Sequence, residues 1–460
     1  MHHLTLKLSS DILTMFVVVL LAIICCLVLA LRSWMKPRRL SPPLFPGSLP
    51  LIGHGLLMYG DFALLSILIT DPDDSLTIAN TCLERPYFYK FGKAVYNNGL
   101  VTADASMWKP HRKLLNPAFN QTVLNAFVKE YGDQAKSLIS QLASEVGKGP
   151  FDVYQYLIYN LLNTVYRTSL GIKLDEHNVT LKTYADATED LFSLSINRVQ
   201  RIWLHLPFIY NRTSNKQKQD QVMKVIKDIT NTVTMLLFKP LIDQMLTLAD
   251  EQNAFSDDDI REHLDTLVAA AYDTTAITMT FTLILIGSHP DVQERIYKEL
   301  QEVLDIQDRD LNRHDLPKLV YMEAVIKESL RVLPTVPRLA RSSRTEVKLK
   351  HYTLPADCTY FISVYGLNRH PMWGADVEQF RPERWLDPAT LPDNPGLFAS
   401  FSLGRRNCIG KLYGMMAIKT YLAYIIRRYR ITSDINNLQT HCDVLLKPVT
   451  GHHIGLELRT

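Results

Sequence analysis

The chain has 460 residues, with 50 Lys and Arg against 47 Asp and Glu, and only 6 Cys. So long a chain buries enough surface to be stable without disulfides or structural metal. The near-balanced charge excludes a nucleic-acid binder, whose affinity rests on a basic excess. The lack of any C-x-x-C excludes a disulfide scaffold and the common zinc-ribbon spacings.

The first element is a membrane anchor. Ile12 to Leu31 is a run of 20 uncharged residues, 14 of them Leu, Ile, Val or Phe. As a helix it rises about 30 Å, the thickness of the hydrocarbon layer. It is longer than the apolar core of a cleaved signal, and no small-x-small site follows it before Arg32. Arg32, Lys36, Arg38 and Arg39 flank its C-terminal side, against Lys7 and Asp11 before it. The positive-inside rule then places the rest of the chain in the cytosol. That compartment is reducing, which suits free thiols at Cys82, Cys358, Cys408 and Cys442. The sequons at Asn120, Asn178 and Asn211 then stay unglycosylated.

Lys36 to Gly53 holds five prolines and reads as a stiff linker. From Ser106 to Leu333 the apolar spacing is helical, with few glycines. Ser256 with Asp259 three residues on makes a capping box, and Phe255 and Ile260 make its staple. The helix they start runs to Ser288, 32 residues or about 48 Å, so it must cross the whole body. In its middle, Ala269-Ala270-Ala271-Tyr272-Asp273-Thr274-Thr275 leaves room for a group against the backbone. Strand patterns come later, at Val347–Leu349, Thr359–Val364 and Gly455–Leu458. The expected fold is mainly α with small peripheral β-sheets.

The sharpest signal is Phe401-Ser402-Leu403-Gly404-Arg405-Arg406-Asn407-Cys408-Ile409-Gly410. A Cys on a glycine-bearing loop points sulfur at a haem iron while backbone N–H groups donate to that sulfur. Arg406, two residues earlier, is placed to pair with a haem carboxylate.

With this F-x-x-G-x-R-x-C-x-G motif the chain resembles the cytochrome P450 superfamily, over nearly everything after the anchor. Four further segments match in the family's order. They are Trp108-Lys109-Pro110-His111-Arg112, Ala270 to Thr275, Glu328-Ser329-Leu330-Arg331, and Phe380-Arg381-Pro382-Glu383-Arg384-Trp385. Thr266, Asp273, Thr274 and Asn368-Arg369-His370-Pro371-Met372-Trp373-Gly374 resemble insect members of the fourth clan.

The resemblance implies a P450 fold behind one transmembrane helix. Residues 1–35 are the anchor, 36–60 the linker and 61–460 the haem-thiolate domain. It implies haem b held by the Cys408–iron bond, with no covalent link, because Ala270 stands where many clan members carry an esterifying Glu. Trp108, Arg112, Arg341, Arg406, Phe401 and Gly410 are the matching cofactor-binding positions, Arg338 being the competing choice to Arg341. Asp273 and Thr274 match the acid–alcohol pair that delivers protons, although a Thr in a helix also bonds its own i−4 carbonyl. Glu328, Arg331 and Arg384 match a buried ion triad. Ala271, Gly414 and Ala417 replace the usual Gly, Ala and Glu.

The implied activity is insertion of one oxygen atom of O2 into a lipophilic small molecule, at the endoplasmic reticulum membrane. The chain has no dinucleotide fingerprint: Gly53-His54-Gly55-Leu56-Leu57-Met58-Tyr59-Gly60 has the wrong spacing and follows a linker. Electrons must therefore come from outside the chain, and the resemblance implies a separate reductase, NADPH–cytochrome P450 reductase, with cytochrome b5 as a further candidate. Lys109, Arg112, Lys113, Arg405, Arg406 and Lys411 are the expected docking cations beside the thiolate, some of them facing haem instead. Trp203, Leu206, Phe208, Ile209 and Tyr210 are candidate membrane-facing residues. Only 62 positions separate Pro46 from Trp108, fewer than in typical relatives, so a first strand and most of a first helix are expected to be missing. This supports an alternative function, a shortened haem-binding protein without turnover. A haem-thiolate isomerase or dehydratase is disfavoured by the Asp273-Thr274 pair.

Overall fold

A computed structural model describes residues 66–459 apart from 97, 172–178, 235–244, 248, 252–253 and 305–308. The expected anchor at 12–31, the linker at 36–60 and the first residues of the expected catalytic domain lie outside the described residues.

The described chain is mainly helical with small sheets. The principal helices are α1 (Pro72–Thr81), α2 (Tyr89–Tyr96), α3 (Ala105–Leu115), α4 (Val128–Leu142), α5 (Val153–Val165), α6 (Val179–Gln200) and α7 (Ser214–Thr234). They continue with α8 (Asp257–Ser288), α9 (Pro290–Leu304), α10 (Val320–Val332) and α11 (Lys411–Arg428).

Helix α8 forms where the sequence places it. The Ser256 hydroxyl accepts the Asp259 N–H at 3.2 Å, and the Asp259 carboxylate accepts the Ser256 N–H at 3.0 Å. Phe255 and Ile260, the staple, are each 4% exposed. The helix stops at His289, because the following Pro290 disfavours the helical conformation there. It packs against α5, α10 and α11, while α4 packs on α5 and α11. It is long and apolar enough to cross a membrane, but 83% of its most apolar window is buried inside the protein. Its burial by neighbouring helices makes it the core helix.

The sheets are peripheral. Strand β1 (Ser66–Ile69) runs parallel to β6 (Thr359–Ser363), which runs antiparallel to β3 (Arg338–Ser342). A second sheet has the order β2-β10-β7, from Phe151–Asp152, His453–Leu458 and Tyr429–Thr432. Two hairpins pair β4 (Val347–Lys348) with β5 (Thr353–Leu354), and β8 (Gln439–Cys442) with β9 (Leu446–Thr450). The strands expected from sequence form β4, β6 and β10. Strands β3, β7, β8 and β9 were not legible: Arg338-Leu339-Ala340-Arg341-Ser342 has no polar–apolar alternation, and only β6 beside it makes it a strand. Among the described residues β1 has one strand neighbour, β6, so it stands at the sheet edge, and Leu68 is 49% exposed.

The ion triad ties α10 to the segment before the Cys loop. Glu328, Arg331 and Arg384 have fully buried side chains. Glu328 accepts from Arg331 at 2.8 and 2.9 Å, Arg384 at 2.9 Å, the Arg381 N–H at 3.0 Å and the Trp385 indole at 2.9 Å. Asp376 supplies the second negative charge, 3.4 Å from Arg384. Asn368, also fully buried, joins this knot to the loop ahead by donating to Leu330 O, Arg331 O and the Ser400 hydroxyl.

Candidate functional site

The Cys408 loop is shaped by its backbone. Gly404 has φ +65°, and a Cβ there would sit 2.4 Å from the Ala79 carbonyl oxygen. The loop therefore lies directly on α1, which only glycine permits. Ser402, with φ +64°, makes the other sharp bend. The Cys408 N–H donates to Phe401 O at 2.8 Å and closes the loop. Gly410 then opens α11, so its N–H and the helix dipole both face the sulfur. Arg112 grips the residue before the cysteine, donating to Asn407 O at 2.7 Å and to its side-chain oxygen at 3.0 Å.

Cys408 lies deep enough that burial pushes its thiol pKa up, against the Gly410 N–H, Arg112 and Lys411. Yet its surface is accessible. Both observations hold if the sulfur faces an internal chamber, and the accessible surface decides where a ligand could reach it. The middle of α8 has the same character. The helix is buried along most of its length, but Ala270 is exposed and Ala271 and Thr274 are half-buried. Helices α8 and α11 meet just beside this opening, where a Cβ on Gly414 would lie 4.0 Å from the Thr275 hydroxyl.

Thr274 donates to Ala270 O at 2.8 Å. Thr275, Thr278, Thr280 and Thr282 bond their own i−4 carbonyls in the same way, so this bond does not single Thr274 out. Its partial exposure does, since the other four are buried. Asp273 is 3% exposed. It accepts the Tyr154 hydroxyl at 2.8 Å and faces Lys447 at 3.4 Å. Burial raises its pKa, opposed by Lys447 and Tyr154.

Three arginines converge on the far side of the loop. Arg341 is 1% exposed and donates to Ala340 O and the Ser402 hydroxyl, leaving Nε without a partner. Arg406 is 5% exposed, lies 4.5 Å over the Trp108 ring and donates to Ala103 O, leaving Nε and Nη1 unpartnered. The Nε of Arg85 is also buried without a partner. Burial and mutual repulsion with Arg85 lower the pKa of Arg341 to about 10 and that of Arg406 to about 9. Such a group of buried cations calls for an anion. Among the described residues no three His, Cys, Asp or Glu side chains cluster as metal ligands. A metal on Cys408 would take its remaining ligands from a bound group, and a metal-binding macrocycle that also bears carboxylates meets both demands.

The structure thus brings together Cys408, Phe401, Gly410, Trp108, Arg112 and Arg406 from the sequence reading, and puts Arg341 rather than Arg338 with the buried cations. Arg338 reaches Cys442 instead. Arg112 meets the Cys loop through Asn407. Arg85, Tyr154 and Lys447 were missed, because nothing local marks them and only the fold brings them to the site. Two expectations are corrected. Arg406 is buried and cannot belong to a docking face, which leaves Lys109, Lys113, Arg405 and Lys411 exposed. Tyr210 is 1% exposed, packed under the Arg198 guanidinium at 3.6 Å, whereas Trp203, Leu206 and Phe208 are 50%, 47% and 62% exposed.

The cytochrome P450 family profile matches residues 77–454. Cytochrome P450 4V2 of Mus musculus is 28% identical, covering 96% of this chain and 94% of its own. Cytochrome P450 4c21 of Blattella germanica is also 28% identical, covering 77% and 75%. Cytochrome P450 4d2 of Drosophila melanogaster is 27% identical, covering 86% and 85%. The alignment with the mouse protein spans 494 positions, more than the 460 residues here, so that relative carries residues this chain lacks. Mammalian and insect members of the fourth clan match alike.

Proposed function

The chain belongs to the cytochrome P450 family, whose members bind haem b through a cysteine–iron bond, and from that premise we propose that it is a membrane-anchored monooxygenase of the endoplasmic reticulum. In this reading residues 12–31 hold the catalytic domain on the cytosolic face, NADPH–cytochrome P450 reductase supplies electrons, and a fatty acid, hormone or xenobiotic is hydroxylated. The observation that carries it is the pairing of an accessible Cys408 sulfur with an accessible Ala270–Thr274 surface, both inside the core.

Bound haem supplies the oxygen chemistry. Cys408 is the residue that would ligate its iron, and its thiolate charge is supported by the Gly410 N–H, Arg112 and Lys411. Arg341 and Arg406, whose buried nitrogens lack partners, are the residues that would hold the haem carboxylates. Phe401 and Trp108 flank the loop and Arg406. Asp273 holds a proton at its carboxyl oxygens, and Thr274 passes it on from Oγ1. Lys447 links Asp273 to Glu189, 3.5 Å away and 56% exposed, which gives protons a way in from solvent. Ala270 has no group that could esterify the haem, so acid solvent extracts the haem free. The exposed Lys109, Lys113, Arg405 and Lys411 serve as the reductase face, and cytochrome b5 would use the same cations.

The test is a carbon monoxide difference spectrum on reduced protein. The red-shifted band of thiolate ligation should appear, and should vanish in Cys408→Ala. A band typical of imidazole ligation would reject Cys408. A second reading, haem binding without turnover, is favoured by the residues that the relatives carry and this chain lacks. A good spectrum without NADPH consumption across a panel of lipophiles, in the presence of reductase, would select it.

A further inference from the structure

Building on the monooxygenase reading above, we propose that Arg338 is a specificity-determining residue: it holds the carboxylate of an amphiphilic acid whose apolar body occupies the chamber. The first observation is which way Arg338 points. Side chains alternate along a strand, and residues paired across a ladder share a face. Arg341 pairs with Tyr360 and Leu339 with Ile362, on the face that meets the core and the Cys408 loop. Arg338 and Ala340 therefore share the other face with Phe361, which pairs with Ala340 on one side and Leu68 on the other.

That face is an apolar way in. Leu68 is 49% exposed, Phe361 is half-buried, and the Phe88 ring stacks on Phe361 at 6.1 Å. Among the residues of β1, β3 and β6 that share this face, Arg338 alone is charged. It is half-buried, and its Nη2 donates to the Cys442 sulfur at 3.4 Å. A thiol is a weak acceptor and carries no charge to balance the guanidinium. No described carboxylate lies within salt-bridge distance of Arg338. The acid beside Cys442 in sequence, Asp443, is bonded to His441 at 2.9 Å. A partly buried cation without a counterion favours an anion, and the fork of an arginine matches a carboxylate.

The second observation is what lies beyond Arg338. Cys442 pairs with Leu446 across the β8–β9 hairpin, and the Leu446 N–H donates to Thr335 O at 2.9 Å. The Thr335 hydroxyl lies 2.8 Å from that of Thr278 on α8, one turn beyond Thr274. Lys447, next on the hairpin, faces Asp273. Arg338 thus stands where sheet, hairpin and α8 converge beside the accessible Ala270–Thr274 surface. An acid that enters body first over Leu68, Phe361 and Phe88 comes to rest with its carboxylate at Arg338 and its body against that surface.

The experiment is equilibrium dialysis of the full-length holoenzyme against dodecanoate, dodecanol and dodecyltrimethylammonium, with protein-free blanks. One charge-assisted contact should make dodecanoate bind about tenfold or more tighter than dodecanol. Arg338→Leu and Arg338→Gln both remove the charge, so whichever folds should bring these two ligands within about twofold while leaving dodecanol binding unchanged. Arg338→Lys keeps the charge but not the fork and should retain part of the preference. A merely structural role would weaken the acid and the alcohol alike. Ala270→Phe, which fills the chamber, should weaken both. Dialysis needs no turnover, so a protein that prefers the acid yet consumes no NADPH loses the monooxygenase reading and keeps this one. The proposal is overturned if the wild type binds dodecanol or the ammonium as tightly as dodecanoate. It is equally overturned if the uncharged variants keep the wild-type ratio, or if Ala270→Phe binds dodecanoate undiminished.

Discussion

Replacing Glu328 by Gln keeps the shape of the side chain and removes one negative charge from a fully buried site. Glu328 accepts five N–H groups, three of them from the guanidiniums of Arg331 and Arg384. An amide nitrogen placed at Oε2 would point at two donors, Arg331 Nε and the Trp385 indole. Turned the other way, it would meet Arg331 Nη2, Arg384 Nε and the Arg381 N–H. Either orientation leaves buried donors facing a donor and a buried positive charge short of its counterion. Breaking one side of such a pair costs about 3–5 kcal/mol. That is a large part of the 5–15 kcal/mol that typically holds a domain together. For a chain of this size the expected drop in Tm is about 3–6 °C. Scanning the holoenzyme by haem absorbance and far-UV circular dichroism together would measure it. Asp190→Asn, which breaks an exposed pair with Lys218 (Asp190 44% and Lys218 52% exposed), is the control and should leave Tm unchanged. A Glu328→Gln protein within about 1 °C of wild type would refute the claim that the triad is dry and charge-balanced.

Asp273→Asn should trade activity for stability. Burial raises the Asp273 pKa, so its folded value lies above its unfolded one; its contribution favours the fold at low pH and is lost as pH rises through the folded value. Above that pH the Asn protein should be the more stable in urea titrations while turnover falls about a hundredfold, and a less stable Asn protein at neutral pH would reject the argument. His263 donates or accepts within 2.8 Å of His111, with Asp259 and Phe255 beside it, and burial first, then His111, lower its pKa to about 4 from 6.5. The unfolded chain takes up this proton first as pH falls, so stability should decline from 6.5 to about 4, and His263→Gln should flatten that decline in urea midpoints taken across this range. Gly404→Ala would combine a left-handed φ of +65° with a Cβ 2.4 Å from Ala79 O, and should cost about 2 kcal/mol or more. Gly147→Ala, at φ +74° in open space, bears the conformational cost alone, so equal urea midpoints for the two variants would remove the case for close loop packing.

Much of this protein is local chemistry and was therefore legible in its sequence. Helix α8 starts at a capping box whose two hydrogen bonds join residues three apart, and it ends where Pro290 forbids more helix. The Cys408 loop depends on glycine at Gly404 and on an N–H at Gly410, which spacing alone reveals. Glu328 and Arg331 stand on one helix face by periodicity. What contacts between distant segments create could not be read. Whether Thr274 differs from the other threonines of α8 depends on a chamber that no sequence window contains. Arg338 and Arg341 alternate along β3, and only pairing with β6 and the loop at Ser402 decides which is buried. Arg406 read both as a carboxylate partner and as a docking cation, and only Trp108, from a helix 298 positions earlier in the chain and packed beneath it, decides between the two. The Tyr154 hydroxyl on Asp273 and the backbone bridge that pairs Glu84 with Ser342 are of the same kind. The sequence by itself determined the turns of the Cys408 loop, the central helix and the Glu328–Arg331 pair, because backbone geometry and short-range hydrogen bonds act over a few residues. Tertiary structure alone decided which polar groups are left buried and unpaired, because desolvation depends on what the rest of the chain packs around them.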